Sequence, residues 1–132
     1  MLKYMLDTNI AIYVIKRRPI ELLAVFNSHA GQMCISSISM AELLHGVEKS
    51  SKPDHNLRQV EDFASRLEVL EYGSKAAAHY GEIRADLERK GSVIGINDLH
   101  IAGHARSEGL TLVSNNLREF ERVEGLRLMN WA

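Results

Sequence analysis

Short apolar runs alternate with helix-periodic segments along the whole chain, and this alternation restricts the fold more than any other feature. Lys3 to Leu6, Met33 to Ser36, Glu68 to Tyr72 and Leu110 to Ser114 read as strands, with Leu126 to Met129 as a final edge strand. Between them the helical spacing predicts segments from near Asn9 to Lys16, Ile20 to His29, Ser39 to Lys49, Pro53 to Arg66, Ser74 to Lys90 and Asn97 to Glu108. Leu117 to Phe120 adds a short helical turn. Asn9, Ser39 and Asn97 read as N-caps, Gly91 and Gly109 as closing residues, and Pro19 and Pro53 mark helix starts. Strands alternating with helices of these lengths imply an α/β fold, with a central parallel sheet of four to five strands and helices on both faces. With 132 residues and 45% hydrophobic content, a single domain over residues 1–132 can bury its own core.

Charge and cysteine content exclude several classes. The 16 basic and 17 acidic residues leave a net charge of -1, unlike a general polyanion binder, whose domain should be clearly basic. Lys16-Arg17-Arg18 is the tightest basic cluster, read either as a solvated helix end or as an RNA-phosphate contact. Cys34, the only cysteine, lies in an apolar run and reads as a buried, inert thiol. It rules out a disulfide framework and a cysteine-based zinc site. The N-terminal segment is charged too early for a signal peptide, and no apolar run approaches the roughly 20 residues needed to span a bilayer. The expectation is a soluble cytoplasmic protein.

In open parallel sheets ligands sit beyond the carboxyl ends of the strands. Asp7 lies there after the first strand, and Ser114-Asn115-Asn116 lies at the equivalent end of a later one. Glu42 and Asp98 fall in the first turns of helices, so the topology brings these three acids to one rim. Three hard oxygen ligands with open positions suit Mg²⁺ or Mn²⁺ rather than zinc. Each acid also has a plain local reading: Ser39-x-x-Glu42 as a capping box, Asp98 as a dipole partner and Asp7 as part of a strand-to-helix turn. Asp98, however, shares a helical face with Ile101, Ala102 and Ala105, which must pack on the sheet. It should therefore point toward the strand ends. His100 and His104 lie on the opposite side of that helix and read as solvent or subunit contacts, because the His-Glu-x-x-His zinc pattern is absent.

Several segments together carry a family resemblance: Met5-Leu6-Asp7-Thr8-Asn9, Ser36-Ser37-Ile38-Ser39-Met40-Ala41-Glu42-Leu43, and Ile94-Gly95-Ile96-Asn97-Asp98 leading into Ile101-Ala102-Gly103-His104-Ala105. Ser114-Asn115-Asn116-Leu117-Arg118-Glu119-Phe120 and the ending Leu126 to Trp131 complete the set. In this order they resemble VapC-type toxins of the PIN-domain ribonucleases. The resemblance implies a PIN fold, Mg²⁺- or Mn²⁺-dependent endoribonuclease activity, a homodimer, and neutralisation by a cognate VapB-type antitoxin. It also implies that DNA is contacted only through the antitoxin. Asp7, Glu42 and Asp98 would be the core metal-binding and catalytic acids, with Thr8 and Ser114 orienting water or phosphate oxygens. The family often places a fourth acid after the last core strand; here the position falls to Asn116 or Glu119, and Glu82 is a further candidate from the long helix. Similar toxins cut the anticodon stem-loop of the initiator tRNA, so tRNA is the implied substrate and arrested translation the implied outcome.

Rival chemistries lack their residues. A haloacid-dehalogenase-type phosphatase needs a second Asp where Asn9 stands, and no glycine-rich phosphate loop follows the first strand. The non-enzymatic alternative is a PIN-like RNA- or partner-binding module without catalysis. Retention of all three core acids argues against it.

Overall fold

Met5 and Leu6 are neighbours in the chain, so in a strand they point to opposite faces of the sheet. Both are fully buried, which requires cover on both sides. They belong to β1 (Tyr4–Leu6), the central strand of the computed structural model, which describes residues 1–132. The chain continues through α1 (Thr8–Lys16), α2 (Ile20–Ser28), β2 (Met33–Ser36), α3 (Ser37–Glu48), α4 (Pro53–Ala64) and β3 (Glu68–Leu70). It finishes with α5 (Ser74–Arg89), α6 (Ile96–Ser107), β4 (Thr111–Val113), α7 (Leu117–Phe120) and β5 (Leu128–Met129). The strands form one five-stranded sheet in the order β3-β2-β1-β4-β5, and every pairing is parallel. The expected α/β layering is therefore present, at the upper end of the expected strand number.

The pleat sorts the core into two layers. Met5 pairs in register with Cys34 and Leu112, and all three face a cluster that includes Ile83, Leu87, Leu99, Ala102 and Phe120 from α5, α6 and α7. Leu6 pairs with Val113, and these two pack with Ile35 on the other face against Ile10, Leu22, Leu43 and Phe63 from α1 to α4. Near-continuous apolar strands are what a sheet covered on both faces requires. Cys34 is completely buried, and burial pushes its thiol up to about 12, in keeping with an inert packing role.

The helix starts differ from the sequence reading. Asp7, rather than Asn9, caps α1: its Oδ1 accepts from the Ile10 N–H at 2.8 Å. Ser36 caps α3 by accepting from Ile38 N at 3.1 Å, which moves Ser39 and Glu42 inside the helix and removes the capping-box role for Glu42. α6 starts at Ile96 after Gly95 with no side-chain cap, so Asn97 lies within its first turn. In the first two cases the residue that follows the strand (Asp7) or ends it (Ser36) already offers an acceptor, and the helix forms without a longer loop.

α6 also departs from the expected one-sided burial. Gly103 lets α5 approach closely, since a Cβ there would lie 2.9 Å from the Tyr80 backbone N and 3.2 Å from the Ala76 carbonyl oxygen. Squeezed between the sheet and α5, the helix buries His104 as well as Ile101, Ala102 and Ala105. His104 Nδ1 lies 2.8 Å from Ser36 Oγ, and His100 Nδ1 lies 2.8 Å from the Tyr72 hydroxyl. These histidines tie α6 to β2 and to the segment after β3, in place of the solvent or subunit contacts expected of them. Burial lowers the titration of both imidazoles.

Candidate active site

From β1 the chain builds outward to β2 and β3, then returns to the other side of β1 as β4. This reversal opens a crevice beyond the carboxyl ends of β1 and β4, the place where such sheets bind ligands. Asp7 ends β1 and Ser114 ends β4, so each lies on the crevice. Both are almost completely buried, Asp7 at 3% exposure.

The Asp7 carboxylate takes hydrogen bonds from the Ser114 side chain and the Ile10 backbone. Even so, burial holds its titration above the usual carboxylate range, and the nearby Glu42 charge adds to the shift. Thr8, the next residue, directs its hydroxyl across to α3: Thr8 Oγ1 donates to Glu42 Oε1 at 2.6 Å and lies 3.0 Å from Ser39 Oγ. Glu42 thus serves the crevice, held in place by a residue of α1. Asp7, Thr8, Glu42 and Asp98 line one cleft of about 470 Å³.

Asp98 enters from the first turn of α6, on the buried side as its helical face predicted. Across from it stands Glu119 of α7, within hydrogen-bond reach of Asp98. Half-burial is the largest cause raising the Asp98 carboxyl to about 6; the shared hydrogen bond and the charges of Glu119, Asp7 and Glu42 raise it further. Asn116 Nδ2 donates to Glu119 Oε2 at 3.0 Å, and the Asn116 N–H donates to Ser114 Oγ at 2.8 Å. Of the alternatives for the fourth position, Glu119 is the one brought to Asp98, with Asn116 holding it.

Other candidates are placed elsewhere. Glu82 pairs with Arg106 Nη2 at 2.6 Å and lines a separate hollow of about 220 Å³, so it is not gathered with the acids. Its helix presents that turn toward the end of α6 remote from Asp98. Lys16, Arg17 and Arg18 line a third cleft at the far end of α1 from Asp7. His45 and Lys49 line the acidic cleft although the sequence reading passed over them. The signal was available: they follow Glu42 at three and seven residues, on the face carried by α3 and its C-cap Lys49.

The donor set suits a divalent cation. None of the protein's ion pairs involves Asp7, Glu42, Asp98 or Glu119. Three of the acids are instead oriented by neutral donors: Ser114 and the Ile10 N–H on Asp7, Thr8 on Glu42, Asn116 on Glu119. Neutral orientation fixes geometry without cancelling charge, as supporting residues around metal ligands do. No three His, Cys, Asp or Glu side chains close on a single ion-sized point in the protein by itself. The arrangement therefore fits a cation held by one or two carboxylates at a time, with water and phosphate oxygens completing its shell, as is usual for Mg²⁺.

A pH dependence follows. Asp98 titrates at about 6 in the folded chain against an ordinary 3.8, so the folded state binds this proton more tightly than the unfolded state. The stabilising effect of that proton is complete below the ordinary value and is lost as pH rises through about 6. In EDTA, the melting temperature of the native protein relative to Asp98→Asn should therefore fall between about pH 4 and about pH 6. Added Mg²⁺ should restore the difference near neutrality, read by thermal unfolding. A difference that is flat with pH and indifferent to Mg²⁺ would remove the mutual repulsion on which this site is built.

The PIN domain family model matches residues 4–126. The chain is 65% identical to "Ribonuclease VapC2" of Haemophilus influenzae, over 100% of both chains. It is 54% identical to "tRNA(fMet)-specific endonuclease VapC" of Shigella flexneri, again over 100% of both. Its fold superposes with a TM-score of 0.96 on the DNA-bound VapBC crystal structure from Salmonella typhimurium, at 55% identity and 100% coverage of each chain. VapBC2 of Rickettsia felis bound to a promoter DNA fragment gives a TM-score of 0.94 at 44% identity, covering 99% of this chain and 100% of that one. A crevice lined by carboxylates at the β1–β4 switch point and full-length likeness to ribonucleases of one group lead to the same assignment: the chain belongs to the PIN-domain family, in its VapC group.

Proposed function

We propose that this protein is the toxin of a toxin–antitoxin pair, a divalent-metal-dependent endoribonuclease that cuts tRNA in the cytoplasm. The observation that carries the reading is the convergence of Asp7, Glu42, Asp98 and Glu119 on one crevice with no cationic side chain paired to any of them. Such a site demands positive charge from outside the chain. A bound Mg²⁺ or Mn²⁺ would supply the Lewis acidity that activates water and stabilises the departing oxygen of a phosphodiester.

The chain's own residues do the positioning. Asp7, fixed directly after the central strand, would be the central residue holding the ion, with Asp98 and Glu42 approaching from the two opposite faces of the sheet. Thr8 holds the Glu42 carboxylate in one orientation, and Asn116 does the same for Glu119. Ser114 keeps Asp7 aimed while leaving its charge intact. Lys49, on the lip of the same cleft, is placed to meet a phosphate of the substrate.

The initiator tRNA is the proposed substrate, supported by the Shigella and Salmonella relatives, each named a tRNA(fMet)-specific endonuclease. A VapB-type antitoxin is the proposed partner, supported by the VapBC complexes whose toxin chains share this fold, two of them bound to DNA. An antitoxin that placed a basic side chain among the carboxylates would compete directly with metal. DNA contact is then the antitoxin's task, and the active unit is a homodimer. No helix is long and apolar enough to cross a membrane.

The test is cleavage of total tRNA by the purified, antitoxin-free protein with Mg²⁺, with Mn²⁺ and with EDTA. A few discrete fragments should form with metal and vanish with EDTA, and they should map to the anticodon stem-loop of the initiator tRNA. Metal binding without any cut would transfer the reading to a binding module.

A further inference from the structure

Four of the six histidines are occupied inside the fold. His29 Nδ1 lies 2.8 Å from the Val25 carbonyl oxygen, and its ring stacks on Trp131 at 4.4 Å. His79 Nδ1 accepts from Arg106 Nε at 2.9 Å, and His100 and His104 are held by Tyr72 and Ser36. His45 and His55 have no such partner, and of these two only His45 lines the acidic cleft. It is exposed, so both faces of its ring and both nitrogens are open, and it is the only aromatic ring on that cleft.

The residue beside it is equally telling. Gly46 sits in the interior of α3, where glycine weakens a helix. Gly103 has a packing reason, but a Cβ at Gly46 would meet nothing within 4 Å. Its backbone does not need glycine either, since it is not among the positive-φ residues. What its missing side chain leaves is open space on the cleft wall, next to a free imidazole.

The cleft is also larger than an ion requires. A hydrated divalent cation takes up on the order of 200 Å³, at about 30 Å³ for each of six oxygens. The cleft holds about 470 Å³. The remainder has its own wall: Ile12 of α1, the one apolar side chain present, with His45, Gly46 and Lys49. At 1.5 Å per residue, His45 stands roughly 4.5 Å and Lys49 roughly 10 Å beyond Glu42 along α3. An open ring between the acids and an exposed ammonium matches one nucleotide, with its base on the ring and its outer phosphate on the lysine.

We infer that His45 is the stacking platform for the nucleobase next to the scissile phosphate. The inference rests on the proposed ribonuclease reading and deepens it by giving the cleft a base subsite. Every base has a π-face, so such a platform selects by structure more than by sequence. It accepts a nucleotide that has left its own stack, as in a loop, and it disfavours one held in a paired stem.

The experiment crosses protein variants with substrate variants. The full chain, His45→Ala and His45→Phe are each given Mg²⁺ and a short unpaired RNA spanning the cut, intact or with an abasic nucleotide on either side of the cleaved bond. For the native chain, removing the base at one of the two positions should lower kcat/KM by on the order of tenfold. His45→Ala should lose about as much on the intact RNA and lose nothing further on that abasic one. His45→Phe should cut at close to the native rate, because the phenyl ring keeps the flat face. All three should melt at the same temperature, since the side chain is exposed. A full abasic penalty in His45→Ala would overturn the platform, as would the absence of any penalty in the native chain. So would a His45→Phe chain as impaired as His45→Ala, which would assign the role to the ring nitrogens. If the native chain cuts no RNA with any metal, the ribonuclease reading fails by itself, and the same cross, read as binding of these RNAs, still decides the platform.

Discussion

Asp7→Asn is expected to reduce tRNA cleavage by on the order of a thousandfold while leaving the fold intact. Both halves of the result come from the same geometry. Asp7 has a structural duty, since its Oδ1 accepts the Ile10 N–H that opens α1. The Asn amide oxygen can accept that bond equally well, so the cap survives. What disappears is the negative charge at the centre of the crevice. In the native protein that charge is buried at 3% exposure with no cationic side chain to balance it. Burying an unbalanced charge opposes folding, so the variant should melt at the same temperature as the native protein or higher when metal is absent. Mg²⁺ should then stabilise the native chain and not the variant. Three readouts check this: cleavage rate, melting temperature in EDTA, and the Mg²⁺-dependent shift in melting. A variant that cuts at the native rate would displace Asp7 from the mechanism. One that unfolds would show the cap to be its main role.

Gly103→Ala should have the largest effect on stability among conservative changes. In an exposed helix the substitution is favourable by about 1 kcal/mol. Here the added Cβ would meet backbone atoms of α5, at 2.9 Å from Tyr80 N and 3.1 Å from Tyr80 Cα. Backbone cannot rotate away as a side chain can, so α5 and α6 must move apart. Overpacking of this kind costs typically 1–3 kcal/mol, and a net loss of about 2 kcal/mol would lower the melting temperature by roughly 8 °C. The disturbance also reaches the site, because Asp98 lies on the same helix and its distance to Glu119 depends on where α6 sits. Activity should fall with stability, and by more than the unfolded fraction explains. A variant as stable and as active as the native protein would mean that the α5–α6 contact is looser than it stands here.

These two residues differ in how far the sequence reveals them. Asp7 is legible because it closes an apolar run at the start of an α/β pattern, where the carboxyl ends of parallel strands form the ligand rim. Asp98 is legible for a similar reason, as its helical face is shared with Ile101, Ala102 and Ala105, all fully buried. Glu42 is legible only as a member of the ordered motif set; read locally, Ser39-x-x-Glu42 describes a capping box that the earlier start of α3 removes. Gly103 carries no signal of its own, because whether a helix glycine is idle or essential depends on the backbone that packs against it.

Periodicity along the chain was enough to determine the α/β class, the strand and helix sequence to within a few residues, and the rim that receives Asp7 and Asp98. These follow from short-range physics: alternation sets strand faces, helical spacing sets helix faces, and parallel strands place their carboxyl ends together. The tertiary structure alone decided that Glu119 meets Asp98, that Thr8 holds Glu42, that Glu82 turns away to Arg106, and that His104 is buried against Ser36. Each of these is a contact between different elements of the chain. Such contacts depend on the stacking of helices against the sheet and against one another, and no local spacing rule encodes that distance.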